Sequence, residues 1–332
     1  MMAPRRDGSC PTATKNFLGS CVGDGGAMDP ERLLARLTSL RQWRSGDQRA
    51  PHKPLLLLLA LANVQRGGPR LQPFLSLEDP LGRLLEEYGP PRRHQHPRYP
   101  FWRLQTDGLW EVVGPDELQE VGPSGDPPLR LLRDPATQGG LTTEADEVLR
   151  GDPSLLARAA QTLLDEHFPP TLHEDLLTAV GLDTRAVRSD RPGRDPQFRL
   201  EVLRAYEYAC AMCGYDGQLE TVSVGVEAAH VRWWAEQGPD TLDNALALCS
   251  LHHRAFDRGV LSVDDQHRIM VSRLFRGGAR ARALIVELHD RPLGRPQPGV
   301  AMPASAHIGW HQREVFKGPE RLATLAAEES PP

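Results

Sequence analysis

The stretch Leu248–Gly259, LCSLHHRAFDRG, sets a cysteine, two adjacent histidines and an aspartate on one helix start. Side chains of neighbouring helical residues diverge by about 100°, so His252 and His253 cannot point the same way and serve two different sites. Upstream, Cys210 and Cys213 form a C-x2-C pair, and Cys249 with His252 forms a C-x2-H pair. Two knuckles of two soft ligands each are the spacing of a closed, tetrahedral, structural Zn2+ site. That assigns His252. His253 then faces Asp257, four residues on, and this pair suits a hard divalent cation.

The rest of the chain bounds what such a site serves. With 332 residues there is enough chain for two domains. The formal net charge of -5 excludes a global basic field, so contact with nucleic acid would have to use local patches. Five cysteines, three of them in the knuckles, do not resemble a secreted disulfide framework. The N-terminal stretch lacks the apolar core of a secretory signal, and LLLLLALA at 55–62 is too short to span a bilayer. A cytoplasmic protein with no membrane partner is expected.

Residues 1–27 are small and polar and are expected to be a disordered leader. Helices are predicted from Asp29, over APHKPLLLLLALANVQRG, over Leu81–Tyr88, near TEADEVLR, over PSLLARAAQTLLDEHF and over TLHEDLLTAVGL. YPFWRLQ and LWEVV read as two short strands about the turn TDG. Charged, apolar-poor residues 183–196 read as a linker. Beyond it QFRLEVLRAYEYACAMCGYD is helix running into the first knuckle, TVSVGVEAAHV alternates as a strand, and HIGWHQREVFKGPERL is a docked strap before an acidic tail.

Between the knuckles lies a second constellation: His230 on the strand, Asn244 in a loop, His253 on the helix. In that order, interleaved with the knuckles, these residues resemble the HNH endonucleases, the ββα-metal nucleases, over about Gln197 to Ser262. The resemblance implies that His230 is the general base, that Asn244 orients the loop and the base, and that His253 binds the catalytic metal, with Asp257 where some members have a second helix ligand. Many members carry His or Asp just before the base, where this chain has Ala229. Glu227 is a candidate replacement, although on an ideal strand it lies on the face opposite His230. Phosphodiester hydrolysis needs a base of near-neutral pKa and positive charge on the scissile phosphate, which His and a bound Mg2+, Mn2+ or other divalent ion supply. Arg232, Trp233 and Trp234 are nearby candidates for DNA contact, though such tryptophans are more often core.

A nuclease domain this small takes its target choice from elsewhere. The densest cationic stretch is PRRHQHPRYPFWR, with Arg92, Arg93, Arg98 and Arg103, His94 and His96, and interleaved aromatic residues. APHKPLLLLLALANV with HPRYPFWRLQTDGLWEV, and on through LLDEHFPPTLHEDLLTAVGLD, is similar to the sulfur-binding domain of phosphorothioate-dependent McrA-type, type IV, restriction endonucleases; EAAHVRWW and GPDTLDNALALCSLHHRAFDRG are likewise similar to that group, so the resemblance covers most of 29–316. It implies double-stranded DNA in which sulfur replaces a non-bridging phosphate oxygen. Tyr99 and Pro100 match the family's pocket wall; His52 and Lys53 match its adjoining polar wall; Arg98 and Arg103 are further candidates for phosphate or base contact.

The fold expected is α+β: a mostly helical sulfur-binding domain with a small sheet over 28–182, a linker over 183–196, a zinc-stapled ββα-metal nuclease over 197–290 and a strap and tail over 291–332. The function expected is modification-dependent restriction, leaving 5′-phosphate and 3′-hydroxyl ends by family analogy. Cutting both strands needs two active sites, hence a homodimer or two bound copies. The competing readings are an HNH nuclease directed to another mark, such as methylcytosine, which would need an aromatic cage for a flipped base, and a non-catalytic zinc DNA-binding regulator.

Overall fold

The computed structural model describes residues 28–41, 48–92, 94–183 and 196–322. The leader expected over 1–27, most of the expected linker, and Arg93 lie outside these residues. The buried apolar side chains form two clusters. One draws on residues from Leu33 to Leu182 together with Trp233, Trp310 and Val315; the other runs from Phe198 to Ile308.

Helices dominate the first cluster. α1 (Pro30–Thr38) is set by its own entry residues: the Asp29 carboxylate accepts the Arg32 N–H at 2.8 Å, and Pro30 brings a helical φ. α2 (His52–Gln65) has no polar face; Lys53 to Leu58 and Ala60 to Val64 are all buried, as its unbroken leucines require. β1 (Leu71–Pro73), α3 (Phe74–Tyr88), α4 (Arg98–Arg103), β2 (Trp110–Val113), α5 (Asp116–Gln119), α6 (Leu129–Leu132) and β3 (Gln138–Leu141) follow. The three strands form an antiparallel sheet in the order β1-β3-β2. Gly140 is required in it, because a Cβ there would lie 1.9 Å from the Arg70 carbonyl oxygen. α7 (Thr143–Gly151) is capped by Thr142 and α8 (Pro153–His167) by Asp152, whose carboxylate accepts from the Ser154 and Leu155 N–H groups. α8 packs against both α1 and α2. α9 (His173–Val180) stops at Gly181, which adopts φ 74°.

The second cluster opens with α10 (Pro196–Ala205) and the first knuckle. A small hairpin follows, β4 (Gln218–Leu219) with β5 (Val222–Ser223). β6 (Val226–His230) then pairs antiparallel with β7 (Ala245–Cys249), placing Val226 opposite Cys249 and His230 opposite Ala245. α11 (Ser250–Asp257) leaves β7 directly, which completes a ββα unit. β8 (Leu261–Val263) and β9 (Ile269–Val271), α12 (Ala279–Leu284) and α13 (Ser305–Glu314) close the chain. The fold is thus α+β, as expected.

Three local expectations are corrected. YPFWRLQ is not a strand: it is α4 and a following 3-10 turn, Leu104–Asp107, because Phe101, Trp102 and Leu104 reach the core on helical spacing. The helix expected over Leu81–Tyr88 begins at Phe74, with Pro80 inside it. The strand over TVSVGVEAAHV is two strands, broken at Gly225, where φ is 76°. No described helix is long and apolar enough to cross a membrane.

Candidate metal centre and nuclease site

Cys210, Cys213, Cys249 and His252 converge, with one ligand atom from each lying within 4.8 Å of the others. β7 delivers Cys249 as the residue capping α11, so His252 falls on the first turn, facing back to it. The first knuckle is a tight loop: the Gly214 N–H donates to the Cys210 carbonyl, and the Cys210 N–H to the Tyr215 carbonyl. His252 Nδ1 lies 3.1 Å from Cys249 Sγ and 3.5 Å from Cys210 Sγ. Its Nε2 is 3.0 Å from the Leu284 carbonyl oxygen, so Nε2–H donates there and leaves the Nδ1 lone pair toward the sulfurs. Two of the crowded sulfurs split their acidities: contacts with Cys213 and Cys249 push the Cys210 thiol strongly down, while contact with Cys210 pushes Cys213 strongly up. A cation among them removes that conflict, and bonds of about 2.0–2.3 Å fit this spacing.

His253 faces the other way and bridges two carboxylates. Its Nδ1 lies 2.7 Å from Glu227 Oε2 and its Nε2 3.3 Å from Asp257 Oδ2. Glu227 reaches it from β6, is also held by Ser250 Oγ–H at 2.7 Å, and has its carboxyl pushed below the usual range by His253. Asp257 is buried. Trp233 Nε1–H donates to its Oδ1 at 3.0 Å, and the Thr171 hydroxyl donates to its Oδ2. Glu227, His253 and Asp257 therefore do meet, but on opposite edges of one imidazole.

His230, at the end of β6, is buried, stacked on Phe198 of α10 with ring centroids 4.7 Å apart, and its Nε2 lies 2.6 Å from Asp240 Oδ1. Asn244 is fully buried and staples the loop between them: its Oδ1 accepts from the Arg232 N–H at 2.8 Å, and its Nδ2 donates to the Arg232 and Pro239 carbonyls at 3.0 and 2.9 Å. Of the residues suggested for DNA contact, Trp233 is core, whereas Trp234 is 46% exposed. Sequence reasoning missed Asp240, Phe198 and Thr171. Asp240 and Asp243 stand three apart in one loop, and nothing in the sequence distinguishes them.

At the first domain's candidate pocket, α4 splits its aromatic residues: Phe101 and Trp102 are buried, while Tyr99 stays exposed beside buried Pro100. The Arg98 guanidinium donates to the Tyr99 hydroxyl at 2.9 Å, and the His96 ring lies edge-on to Tyr99 at 5.4 Å. His52 begins α2; burial, with Arg92, Arg49 and His96 nearby, lowers its pKa to about 4, so it is neutral at physiological pH. Lys53 is turned inward instead. It pairs with Asp107 and donates to the Arg41 carbonyl at 2.6 Å, because a buried ammonium needs partners. Arg103 donates to the Ser124 carbonyl at 2.5 Å.

Residues 30–185 match the ScoMcrA-like DNA sulfur-binding domain, and residues 210–264 match the HNH endonuclease domain. The chain therefore carries an HNH endonuclease domain. More particularly, it is similar to the ScoMcrA type, in which a sulfur-binding domain accompanies the nuclease. Among solved structures it is similar to the sulfur-binding domain of ScoMcrA complexed with phosphorothioated DNA (29% identity, 47% of this chain and 98% of that one, TM-score 0.40). It is similar also to the SprMcrA sulfur-binding domain in the same kind of complex (26% identity, 47% and 95%, TM-score 0.40). The type IV phosphorothioation-dependent restriction endonuclease ScoMcrA shares 28% identity over 49% of this chain, which spans only 32% of that longer protein (TM-score 0.36). No curated protein matches the chain.

Proposed function

We propose that this chain is a restriction endonuclease that recognises phosphorothioated double-stranded DNA and hydrolyses phosphodiester bonds nearby, with His230 as general base and one divalent cation at His253. The presence in one chain of a ScoMcrA-like sulfur-binding domain and an HNH domain carries this reading.

Sulfur is larger and more weakly hydrated than oxygen. Apolar walls at Tyr99 and Pro100 strip its water cheaply, whereas a phosphate oxygen placed there loses hydrogen bonds at about 1–3 kcal/mol. Neutral His52 and the Arg98 guanidinium offer donors to the remaining phosphate oxygens without demanding a full anion against the wall. Lys53, being paired with Asp107, sets the start of α2 rather than touching DNA.

In the nuclease half, Asp240 orients His230 and supports its basicity as it takes a proton from the attacking water. Asn244 fixes the loop that carries Asp240. Glu227 Oε2 and His253 Nδ1, 2.7 Å apart, form a two-donor set suited to an ion that keeps several waters and takes further oxygens from substrate phosphate. Mg2+ or Mn2+ bound there would supply positive charge to the scissile phosphate and leaving oxygen. The Cys210, Cys213, Cys249 and His252 set holds structural zinc, stapling β7 and α11 to the first knuckle.

The test is cleavage of matched plasmids, one phosphorothioated and one not, with Mg2+ or Mn2+, by wild type and His230→Ala. Cutting of the modified plasmid alone, lost in the variant, is expected. Equal cutting of both removes the sulfur dependence; no cutting with any divalent ion removes the nuclease reading.

A further inference from the structure

Asp257 sits where a second helix ligand was expected, yet its surroundings describe a different task. Asp257 is 3% exposed, and each of its carboxylate oxygens already accepts a hydrogen bond from another element. Trp233 Nε1–H supplies Oδ1, and the Thr171 hydroxyl supplies Oδ2, the oxygen that also faces His253 Nε2 at 3.3 Å. A fixed carboxylate 3.3 Å from Nε2 restrains the ring and favours the tautomer with its proton on Nε2, which leaves Nδ1 basic. Nδ1 is the edge that faces Glu227.

Thr171 does not belong to the nuclease half. It lies in the 3-10 turn Pro170–Leu172 between α8 and α9, within the stretch that matches the sulfur-binding domain. The contact is part of a wider seat for the end of α11. Arg258, the next residue, donates to Asp175 at 3.0 Å and to Glu87 at 2.5 Å, both in the first domain. Trp233 packs into the first domain's core, 5.9 Å from Trp310 and under the Arg49 guanidinium at 4.0 Å.

We infer that Thr171 is a positioning residue for the nuclease: through Asp257 it holds His253 in the orientation that presents Nδ1, beside Glu227, to the divalent cation, so the DNA-reading domain completes the metal site. The inference rests on the proposed role of His253. A carboxylate deprived of one donor in a buried site turns to find another, and loss of such outer partners lowers metal affinity or activity about 10- to 100-fold.

Two substitutions separate this from ordinary packing. Thr171→Val keeps the shape and removes the hydroxyl; Thr171→Ser keeps the hydroxyl and removes a methyl. A packing role makes Ser the harmful change and Val the harmless one, and a positioning role reverses them. The experiment uses the full-length, zinc-loaded chain. Binding of Mn2+ is read from the electron paramagnetic resonance signal of the free ion, alongside cleavage of phosphorothioated plasmid and binding of a phosphorothioated duplex without added divalent ion. Expected is an Mn2+ dissociation constant raised about 10- to 100-fold in Thr171→Val, near wild type in Thr171→Ser, with duplex binding unchanged in both. Wild-type Mn2+ affinity in Thr171→Val, equal damage in Thr171→Ser, or a Thr171→Val chain that loses duplex binding in parallel would overturn it, as would a wild type that binds no Mn2+. If the wild type binds Mn2+ and cuts no DNA, the nuclease reading falls while the comparison of variants still decides Thr171. If it cuts and both variants bind Mn2+ equally, only the role of Thr171 falls.

Discussion

Replacing Asn244 by Ala removes a side chain that is fully buried and uses both ends of its amide. Three part-buried hydrogen bonds disappear, to the Arg232 N–H, the Arg232 carbonyl and the Pro239 carbonyl. At about 1 kcal/mol net for each bond the loss is about 3 kcal/mol. For a folding unit of this size that corresponds to a fall in Tm of roughly 6–12 °C. The loop also carries Asp240, so cleavage should fall further than stability does. Asn244→Asp gives the sharper test. The carboxylate keeps the acceptor for the Arg232 N–H but sets a second oxygen against two carbonyl oxygens at the 2.9 and 3.0 Å positions. That raises the folded-state pKa of the new carboxyl above its unfolded value of about 3.9. A group with a raised folded pKa stabilises when protonated and loses that contribution as pH rises through the folded value. The deficit of Asn244→Asp relative to wild type is therefore largest at neutral pH and narrows on acidification. Urea denaturation of the three proteins across acidic to neutral pH measures it. An Asp variant as stable as wild type at neutral pH, or a deficit independent of pH, would refute the assignment of the two amide ends and the stapling role built on it.

Elemental analysis of the purified chain should find one zinc, and Cys249→Ser should lose it together with the cooperative melting of the nuclease half; a variant that retains zinc would remove Cys249 from the ligand set. His230→Ala should lower kcat about 10²- to 10⁴-fold, and Asp240→Ala by less, because the imidazole remains; wild-type kcat in Asp240→Ala would make the 2.6 Å contact incidental. His52 has its pKa lowered from 6.5 to about 4, first by burial and then by Arg92, Arg49 and His96, so the folded chain binds fewer protons than the unfolded one in this window and loses stability as pH falls from 6.5 toward 4. An anionic backbone bound beside His52 raises its pKa again, so affinity for a phosphorothioated duplex should tighten on acidification from neutral pH. His52→Gln should flatten that dependence in fluorescence anisotropy, and a wild-type profile with no slope would place the phosphate away from His52.

The Cys3His cluster was legible because its spacing is covalent. C-x2-C and C-x2-H fix which side chains a tight knuckle or a first helical turn can bring together, and the four expected zinc ligands do converge. The two histidines diverge for the same reason, His252 toward the sulfurs and His253 toward Glu227. Reading failed where packing overrode pattern. YPFWRLQ alternates as a strand would, yet Pro97 and Pro100 suit helix starts and the core needs Phe101 and Trp102 on one side. β3 was missed altogether, since Gln138–Leu141 contains two glycines and no strand-forming residue; the close approach of the Arg70 backbone, not propensity, puts glycine there. Asp257 was placed on the correct imidazole but without its donors, because Thr171 is 86 residues away in sequence.

Arg49 shows most plainly what spacing cannot reveal. In the sequence it is one arginine among many, in a stretch with no motif. In the fold it is almost wholly buried, donating to the carbonyls of Tyr88 and Glu314, covering the Trp233 ring and lying 3.8 Å from Glu236. Burial lowers its pKa to about 10, while Glu236, Glu314 and Asp257 act against that, so it stays charged at neutral pH. The same charge lowers the pKa of His52, three residues on and a candidate for the sulfur pocket, and sits against the indole that holds Asp257. A buried cation left without its partners costs several kcal/mol, so this guanidinium ties the first domain, the C-terminal strap and the loop of Trp233 and Glu236 into one arrangement. The two sites are thus joined by a residue that belongs to neither motif.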